Sequence, residues 1–370
     1  MSRLTVDQSQ QLDSLRALAA LAVLLGHTYQ TLLLPTLNVW FTVVVLCAQF
    51  AVMAFFVLSG FLIGKSVSNN IQKNTIFDIK RYAADRALRL YPPLLAAVLL
   101  MSLLSWLAPA VFPSGTHAFL HIEGASFVRS EFSTSIRDVW GALTFLNGLK
   151  VENPLVNSPL WSLSLEAWYY VLAAAIVLLR HKRGLSVFLI AVTVYVTRDS
   201  AVFFMLAPVW FAGFGLAFVH QRRAQMNNRL FGYAFGLASL AFIASTAYAL
   251  YPQPAGNEVD YNKISLFRLV SGLWFACYLA LILGGAARFP KWLHRQAGYS
   301  YTLYVIHFPI MLFALGMLQA YLYGNVLGSW LVSFAVVAIS LAMSWLLSRW
   351  LENKALLSAV YGLAVNRRTV

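Results

Sequence analysis

Ten stretches of this sequence are long and apolar enough to cross a bilayer, and that recurrence limits the fold more than any other feature. They fall near residues 12–33, 42–64, 92–112, 159–179, 184–197, 201–219, 230–250, 266–286, 298–319 and 328–349. About 20 mostly apolar residues carry an α-helix through a hydrocarbon core of about 30 Å. Backbone polar groups in lipid must be satisfied within the segment, so windows of this length are expected to be helices. The expected fold class is all-α: a polytopic transmembrane protein of about ten spans, forming one membrane domain over residues 1–370. The window at 184–197 is the shortest and ends at Thr197–Arg198–Asp199, and the topology turns on it.

Composition agrees, with 60% apolar and 11% charged residues against about 25% charged in soluble chains. Most of the surface must face membrane lipids. The net charge of +14 does not indicate nucleic acid as a partner, because the cations sit in clusters between apolar runs. With the N-terminus in the cytoplasm, the inner segments hold a cluster from Lys65 to Arg89, then Arg180–Arg183, Arg222–Arg229 and Arg288–Arg295, with Lys354, Arg367 and Arg368 on the tail. The outer segments hold Arg129, Arg137, Lys150, Arg198, Lys263 and Arg268, partly offset by acidic residues. Omitting the fifth span would place three basic clusters outside, against the positive-inside rule. Both termini are therefore expected inside, and the first span is expected to be a retained helix rather than a cleaved signal. The longest connection, from about Phe112 to Ser158, is expected on the outer face. Cys47 and Cys277 lie in apolar runs and suggest neither a disulfide nor a metal. His117 and His121 stand four apart in the outer connection without a further ligand cluster, so no metal site is expected.

Ionisable side chains at membrane depth are functional candidates by default. They are Asp13, Arg16 and His27 on the first span, Glu166 on the fourth and His307 on the ninth. Arg16 and His27 stand eleven residues apart, which leaves about 20° between them at about 100° per residue and about 16 Å of rise. One helix face thus carries a cation near the inner boundary and an imidazole beyond the midplane. Glu166 lies at a depth similar to His27, and a buried carboxylate needs a partner. His27 is the natural one, and a carboxylate holding an imidazole is the usual arrangement of a general base. A structural Glu–His bond between two helices is the alternative. His307 is a candidate for lining the same cavity, or for bonding a carbonyl. Arg86 and Arg89 share a helix face up to Tyr91–Pro92 and suit either a phosphate ligand or anionic lipid. Gly60 and Gly64 give a small-residue face for another helix or a thin ligand arm.

These residues meet a family. Leu12–Asp13–Ser14–Leu15–Arg16 through Gly26–His27 resembles the first helix of the integral-membrane acyltransferase family three. Phe55 to Gly64 is similar to its second-helix signature, and Arg86–Ala87–Leu88–Arg89–Leu90–Tyr91–Pro92 to its arginine pair before a proline. Leu160–Trp161–Ser162–Leu163–Ser164–Leu165–Glu166 resembles its tryptophan-serine segment, and Ser300–Tyr301–Thr302–Leu303–Tyr304 with His307 its late-helix motif. Arg349 with Glu352 resembles its ending, and all six segments occur in the family's order. The chain departs at Asp85, where many members have arginine, at Ala167, where a second glutamate is common, and at Asn353–Lys354, where proline is usual. Nothing resembling a hydrolase domain follows the tenth span, so a stand-alone member is expected.

The resemblance implies an O-acyltransferase of a bacterial inner membrane, most simply an O-acetyltransferase acting on a surface or exported polysaccharide or lipid-linked glycan. It implies acetyl-CoA as a co-substrate, with no permanently bound cofactor. The donor phosphates would meet Arg16, Arg86 and Arg89, and the pantetheine arm would pass Ser59 and Gly60. His27 and Glu166 would be catalytic, with Asp13, Trp161, Ser164, Tyr304 and His307 as further lining. A transporter or channel relaying protons through its histidines and glutamate is the rival class. A succinyl or longer acyl donor is the rival within the enzyme class.

Overall fold

In the computed structural model, residues 4–37, 39–112, 131–222, 226–251, 260–322, 324–353, 356–357 and 359 are described. His117, His121 and the basic tail residues Lys354, Arg367 and Arg368 lie outside them. The described residues form helices without a strand.

The first helix α1 (Val6–Thr28) starts on a capping box, in which Thr5 and Gln8 exchange side-chain and backbone hydrogen bonds. It continues through a π-helical turn (Tyr29–Leu33) into a short α2 (Leu34–Leu37). Then come α3 (Phe41–Asn74), α4 (Ile79–Val111) and the short α5 (Ile136–Leu143). After them follow α6 (Leu160–Leu178), α7 (Arg183–Thr197), α8 (Ala201–Gln221), α9 (Asn228–Leu250) and α10 (Tyr261–Leu283). A 3₁₀ segment (His294–Tyr299) leads into α11 (Ser300–Leu322), and α12 (Val326–Leu351) closes the series.

Among the described residues nine helices are long and apolar enough to cross a membrane. The tenth expected span is α7, an apolar helix of 15 residues and therefore about 22 Å long. The chain is a multi-pass all-α membrane protein.

The largest buried cluster draws on α1, α3, α4, α6, α8, α10, α11 and α12. Its tightest seam joins α3 to α8. A β-carbon on Gly60 would lie 2.1 Å from the Trp210 carbonyl oxygen, and one on Gly213 would lie 2.0 Å from that of Val57. Small residues in lipid let backbones approach in this way, since packing rather than water drives helix association. By contrast α9 leans on α10 and turns Leu230, Tyr233, Leu237, Leu240 and Ile243 outward.

One expected boundary moves. The helix carrying Arg86 and Arg89 does not stop at Tyr91–Pro92; α4 runs on through Pro92 and Pro93 to Val111. Pro92 and Pro93 remove the donors that would meet the Leu88 and Arg89 carbonyls, and the Tyr301 hydroxyl of α11 packs onto the same turn, donating to the neighbouring Leu90 carbonyl at 3.1 Å.

Candidate active site

One stripe of α3 faces the interior of the bundle. Val52, Phe55, Ser59, Leu62, Ser66, Asn69 and Lys73 recur at helical steps, and all line one cavity of about 1080 Å³. From Val52 to Lys73 the stripe covers about 31 Å of helix, comparable to the hydrocarbon thickness. The other walls come from α4, α6 and α11, with Arg16 of α1 at one edge.

One end of the cavity is polar and basic. Asn69, Asn70, Lys73, Arg81 and Asp85 line it, and Arg16, Lys65, Arg86 and Arg89 stand further in. Arg16 donates from Nη2 to the Ala297 carbonyl at 3.0 Å and lies 3.3 Å from Asp13, while its buried Nε has no hydrogen bond. Arg86 touches Ser66 at 3.4 Å, lies over the Tyr82 ring, and also keeps a buried Nε without a partner. Arg89 is tied more firmly, by a 2.8 Å ion pair with Glu352. The second oxygen of Glu352 accepts from the backbone N–H and hydroxyl of Thr302, at 3.0 and 2.7 Å. Glu352, quoted in the sequence only as part of the C-terminal motif, thus fastens the end of α12 to α11 and to Arg89. Lys65 is buried beside His220 at 3.4 Å and belongs to the cavity wall. In the sequence it counted only as an inner-loop cation.

The other end is where Glu166 lies. Its Oε1 accepts a hydrogen bond from Ser59 at 2.5 Å and a second from the Tyr170 hydroxyl. Trp210 Nε1 donates to Ser59 Oγ at 3.2 Å, so the serine hydroxyl is aimed at the carboxylate. The expected His27–Glu166 bond is therefore replaced: neither hydrogen bond of the carboxylate goes to His27. Glu166 turns toward Ser59 of α3 instead.

His27 is half-buried and meets Gln30 Oε1 through Nδ1 at 3.2 Å. An Nδ1–H donated to that carbonyl leaves Nε2 carrying the ring's lone pair. Gln30 sits in the π-helical turn, a departure from regular helix common at functional sites. It was missed in the sequence, although it lies one turn after His27. His27 also stacks on His307, with ring centroids 5.5 Å apart. His307 is buried, its Nδ1 meets the Leu303 carbonyl at 3.0 Å, and its Nε2 is buried without a hydrogen-bond partner. The cavity stops short of this pair. Phe55 and Tyr304, both in its wall, meet edge-on at 5.7 Å, and Tyr304 lies 6.2 Å from His307. One layer of rings separates the cavity from the imidazoles.

Several expected lining residues stand elsewhere. Gly60 packs against the α8 backbone, because the stripe facing the cavity passes through Ser59 and leaves its neighbour on the seam. Ser164 is buried and bonds the Leu160 carbonyl of its own helix, whereas Ser162 and Glu166, one turn apart, share the cavity face. Asp13 pairs with Arg16, and Trp161 packs under the Arg268 guanidinium rather than in this cavity. Ser59, Tyr304 and all three arginines line it.

The acyltransferase domain family matches residues 9–349 of the chain. An O-acetyl transferase of Shigella phage Sf6 is 25% identical over 350 residues, covering 91% of this chain and 94% of that protein. An uncharacterized protein of Haemophilus influenzae is 28% identical over 141 residues, 35% of this chain and 49% of its own length. The chain thus spans about half of that second relative. No solved structure matches.

Proposed function

Since the chain belongs to the acyltransferase domain family, we propose that it moves an acetyl group from cytoplasmic acetyl-CoA to a carbohydrate hydroxyl presented from the other face of the membrane. The observation that carries the proposal is that one cavity is lined by Arg16, Lys65, Arg86 and Arg89 and also by Ser59 and Glu166. Phe55 and Tyr304 of its wall lie beside the His27–His307 stack.

In this proposal the donor's phosphates sit among the cations, where charge-assisted hydrogen bonds are the strong ones. The buried, unpartnered Nε atoms of Arg16 and Arg86 support that assignment. The pantetheine arm follows the α3 stripe past Ser59, and the thioester reaches the layer formed by Phe55 and Tyr304. His27 Nε2 accepts the acceptor's hydroxyl proton as that oxygen attacks the thioester carbonyl. The carbon–sulfur bond then breaks, and the imidazolium returns the proton to the departing thiolate. General-base assistance of this kind contributes typically ~10²–10⁴-fold. An acetyl donor and an oxygen acceptor accord with the name of the phage relative, an O-acetyl transferase. The basic inner segments support a plasma membrane with the cationic end of the cavity on the cytoplasmic side.

Sealed membrane vesicles with the cytoplasmic face outward test the proposal. Labelled acetyl-CoA is added outside, and an impermeant surface-glycan fraction is trapped within. Acetyl ester on the trapped glycan is expected, and none with His27→Ala. Ester formed only when glycan and donor share the outer compartment would refute the opposed approach.

A further inference from the structure

One cation in the bundle serves no part of the donor cavity. Arg268, on α10, donates from Nε to Gln49 Oε1 of α3 at 2.7 Å, and its guanidinium lies 5.6 Å over the Trp161 ring of α6. The ion pairs among the described residues do not include it, and its Nη nitrogens make no hydrogen bond there. A guanidinium held by one edge leaves a planar fork on the other, the geometry that receives an oxyanion bidentately. A half-buried arginine in a membrane protein without a carboxylate partner calls for an anion from elsewhere.

Helix register sets its depth. A β-carbon on Gly26 would come within 3.0 Å of the Ala48 side chain, so α1 and α3 cross at those residues. The two helices run antiparallel, so His27 and Gln49, each one residue past the crossing, lie within about 3 Å of one level. On α6, Trp161 precedes Glu166 by five residues, about 7.5 Å toward the helix start. On α10, Arg268 lies seven residues inside Tyr261, about 10 Å below the helix end. A third group stands near the base of the Trp161 side chain. A β-carbon on Gly148 would lie 3.1 Å from both Trp161 Cβ and Asn153 Oδ1, and that amide oxygen is buried without a hydrogen-bond partner.

We propose that Arg268, Gln49, Trp161 and Asn153 form the acceptor subsite, and that the acceptor is an anionic carbohydrate carrying a carboxylate or a phosphate. The indole face receives the sugar ring, the Arg268 fork receives the oxyanion, and the Asn153 oxygen accepts from a hydroxyl. This places the acceptor's charge at the level of His27, on the far side of the Phe55–Tyr304 layer from the donor. The proposal rests on the acyl-transfer function above.

The protein in nanodiscs of neutral lipid is titrated with methyl glucuronide, glucose 1-phosphate and methyl glucoside, and separately with coenzyme A. A preference of about tenfold or more for one charged probe over methyl glucoside is expected, the size of a charge-assisted contact. The two charged arms tell carboxylate from phosphate. R268Q should erase the preference, R268K should keep part of it, and coenzyme A affinity should stay within about twofold in both. Should R268Q fail to insert, Gln49→Ala keeps the charge, releases Nε, and should still reduce the preference. Equal binding of the three probes, or a preference that survives R268Q, would overturn the subsite. So would a preference abolished by adding phosphatidylglycerol to the discs, which marks a lipid-headgroup site. Failure of the wild type to bind coenzyme A would instead strike the acyl-transfer function, whatever the glycosides do.

Discussion

His27 and His307, brought together from α1 and α11, stack with centroids 5.5 Å apart and planes inclined by 22°. Each ring meets an oxygen through Nδ1, Gln30 Oε1 for the first and the Leu303 carbonyl for the second. Two imidazolium charges at this separation repel strongly in a low-dielectric interior. The pair therefore carries at most one positive charge at a time, with His27 the half-buried member and His307 the enclosed one. His27→Ala should lower single-turnover thiol release from acetyl-CoA by ~10²-fold or more, with coenzyme A affinity unchanged. His307→Phe keeps a ring against His27 and removes an orphaned Nε2, so it should melt no lower than wild type and lose only part of the rate. Full activity in His27→Ala would eliminate it as the base.

Arg86 and Arg89 look equivalent in sequence but should behave differently. Arg89→Ala strands the Glu352 carboxylate, whose side chain is 5% exposed, and should cost on the order of 1–3 kcal/mol of stability. Arg86 touches Ser66 at 3.4 Å and lies over the Tyr82 ring, and among the described residues it has no ion pair within 4 Å. Arg86→Ala should leave the melting temperature within a degree or two and weaken coenzyme A binding about tenfold. Calorimetry on both variants separates the roles, and the reverse pattern would exchange them.

Position along each helix was legible in the sequence; the facing partner was not. Apolar length located the helices, and rise and rotation along α1 gave the relative placement of Arg16 and His27. These quantities belong to one helix at a time. That Glu166 turns to Ser59 and Tyr170, that His27 stacks on His307, and that Glu352 holds Arg89 all depend on which helices are neighbours. Gly60 shows the limit most clearly. Its small side suits a ligand arm and a neighbouring helix equally, and only the α8 backbone at 2.1 Å decides between them.

The same seam gives a paired stability test. Gly60→Ala places a methyl group where the Trp210 carbonyl oxygen lies, so α3 and α8 must separate. Overpacking of this kind costs typically ~1–3 kcal/mol. Gly215, on α8, has nothing within 4 Å of its β-carbon position, and Gly215→Ala should be neutral or stabilising by up to about 1 kcal/mol. Thermal denaturation in detergent reads both, and equal shifts would mean that the seam does not hold the bundle.

Lys150, between α5 and α6, donates to Asp199, between α7 and α8, and holds its carboxylate below the ordinary range. A depressed carboxylate stabilises the folded state above its unfolded pKa of ~3.9 and loses that contribution as pH falls through the lower, folded value. The contact between Lys150 and Asp199 should therefore persist at neutral pH and release only in acid. The protection of the amides at residues 147–151, taken relative to their intrinsic exchange, should fall in acid for the wild type, and be low and flat with pH in Asp199→Asn. An unchanged acid profile in the variant would assign the effect to another group.

Glu166 accepts both of its hydrogen bonds on Oε1, from Ser59 and Tyr170, which leaves Oε2 without one among the described residues. Ser59 in turn accepts from Trp210 on α8, so the carboxylate, the serine and the indole form one chain across three helices. Groups in one hydrogen-bonded chain act as a unit, and their removal is not additive. Glu166→Gln should lower the transfer rate, since the amide lacks the charge that orders the two hydroxyls. Ser59→Ala should lower it less, because Tyr170 still donates. With the chain already broken, Ser59→Ala added to Glu166→Gln should cost almost nothing further. The double-mutant cycle on transfer rate is expected to give a coupling of about 0.5–3 kcal/mol. Strictly additive losses would mean that Ser59 and Glu166 serve the reaction separately, the serine as donor lining and the carboxylate by itself.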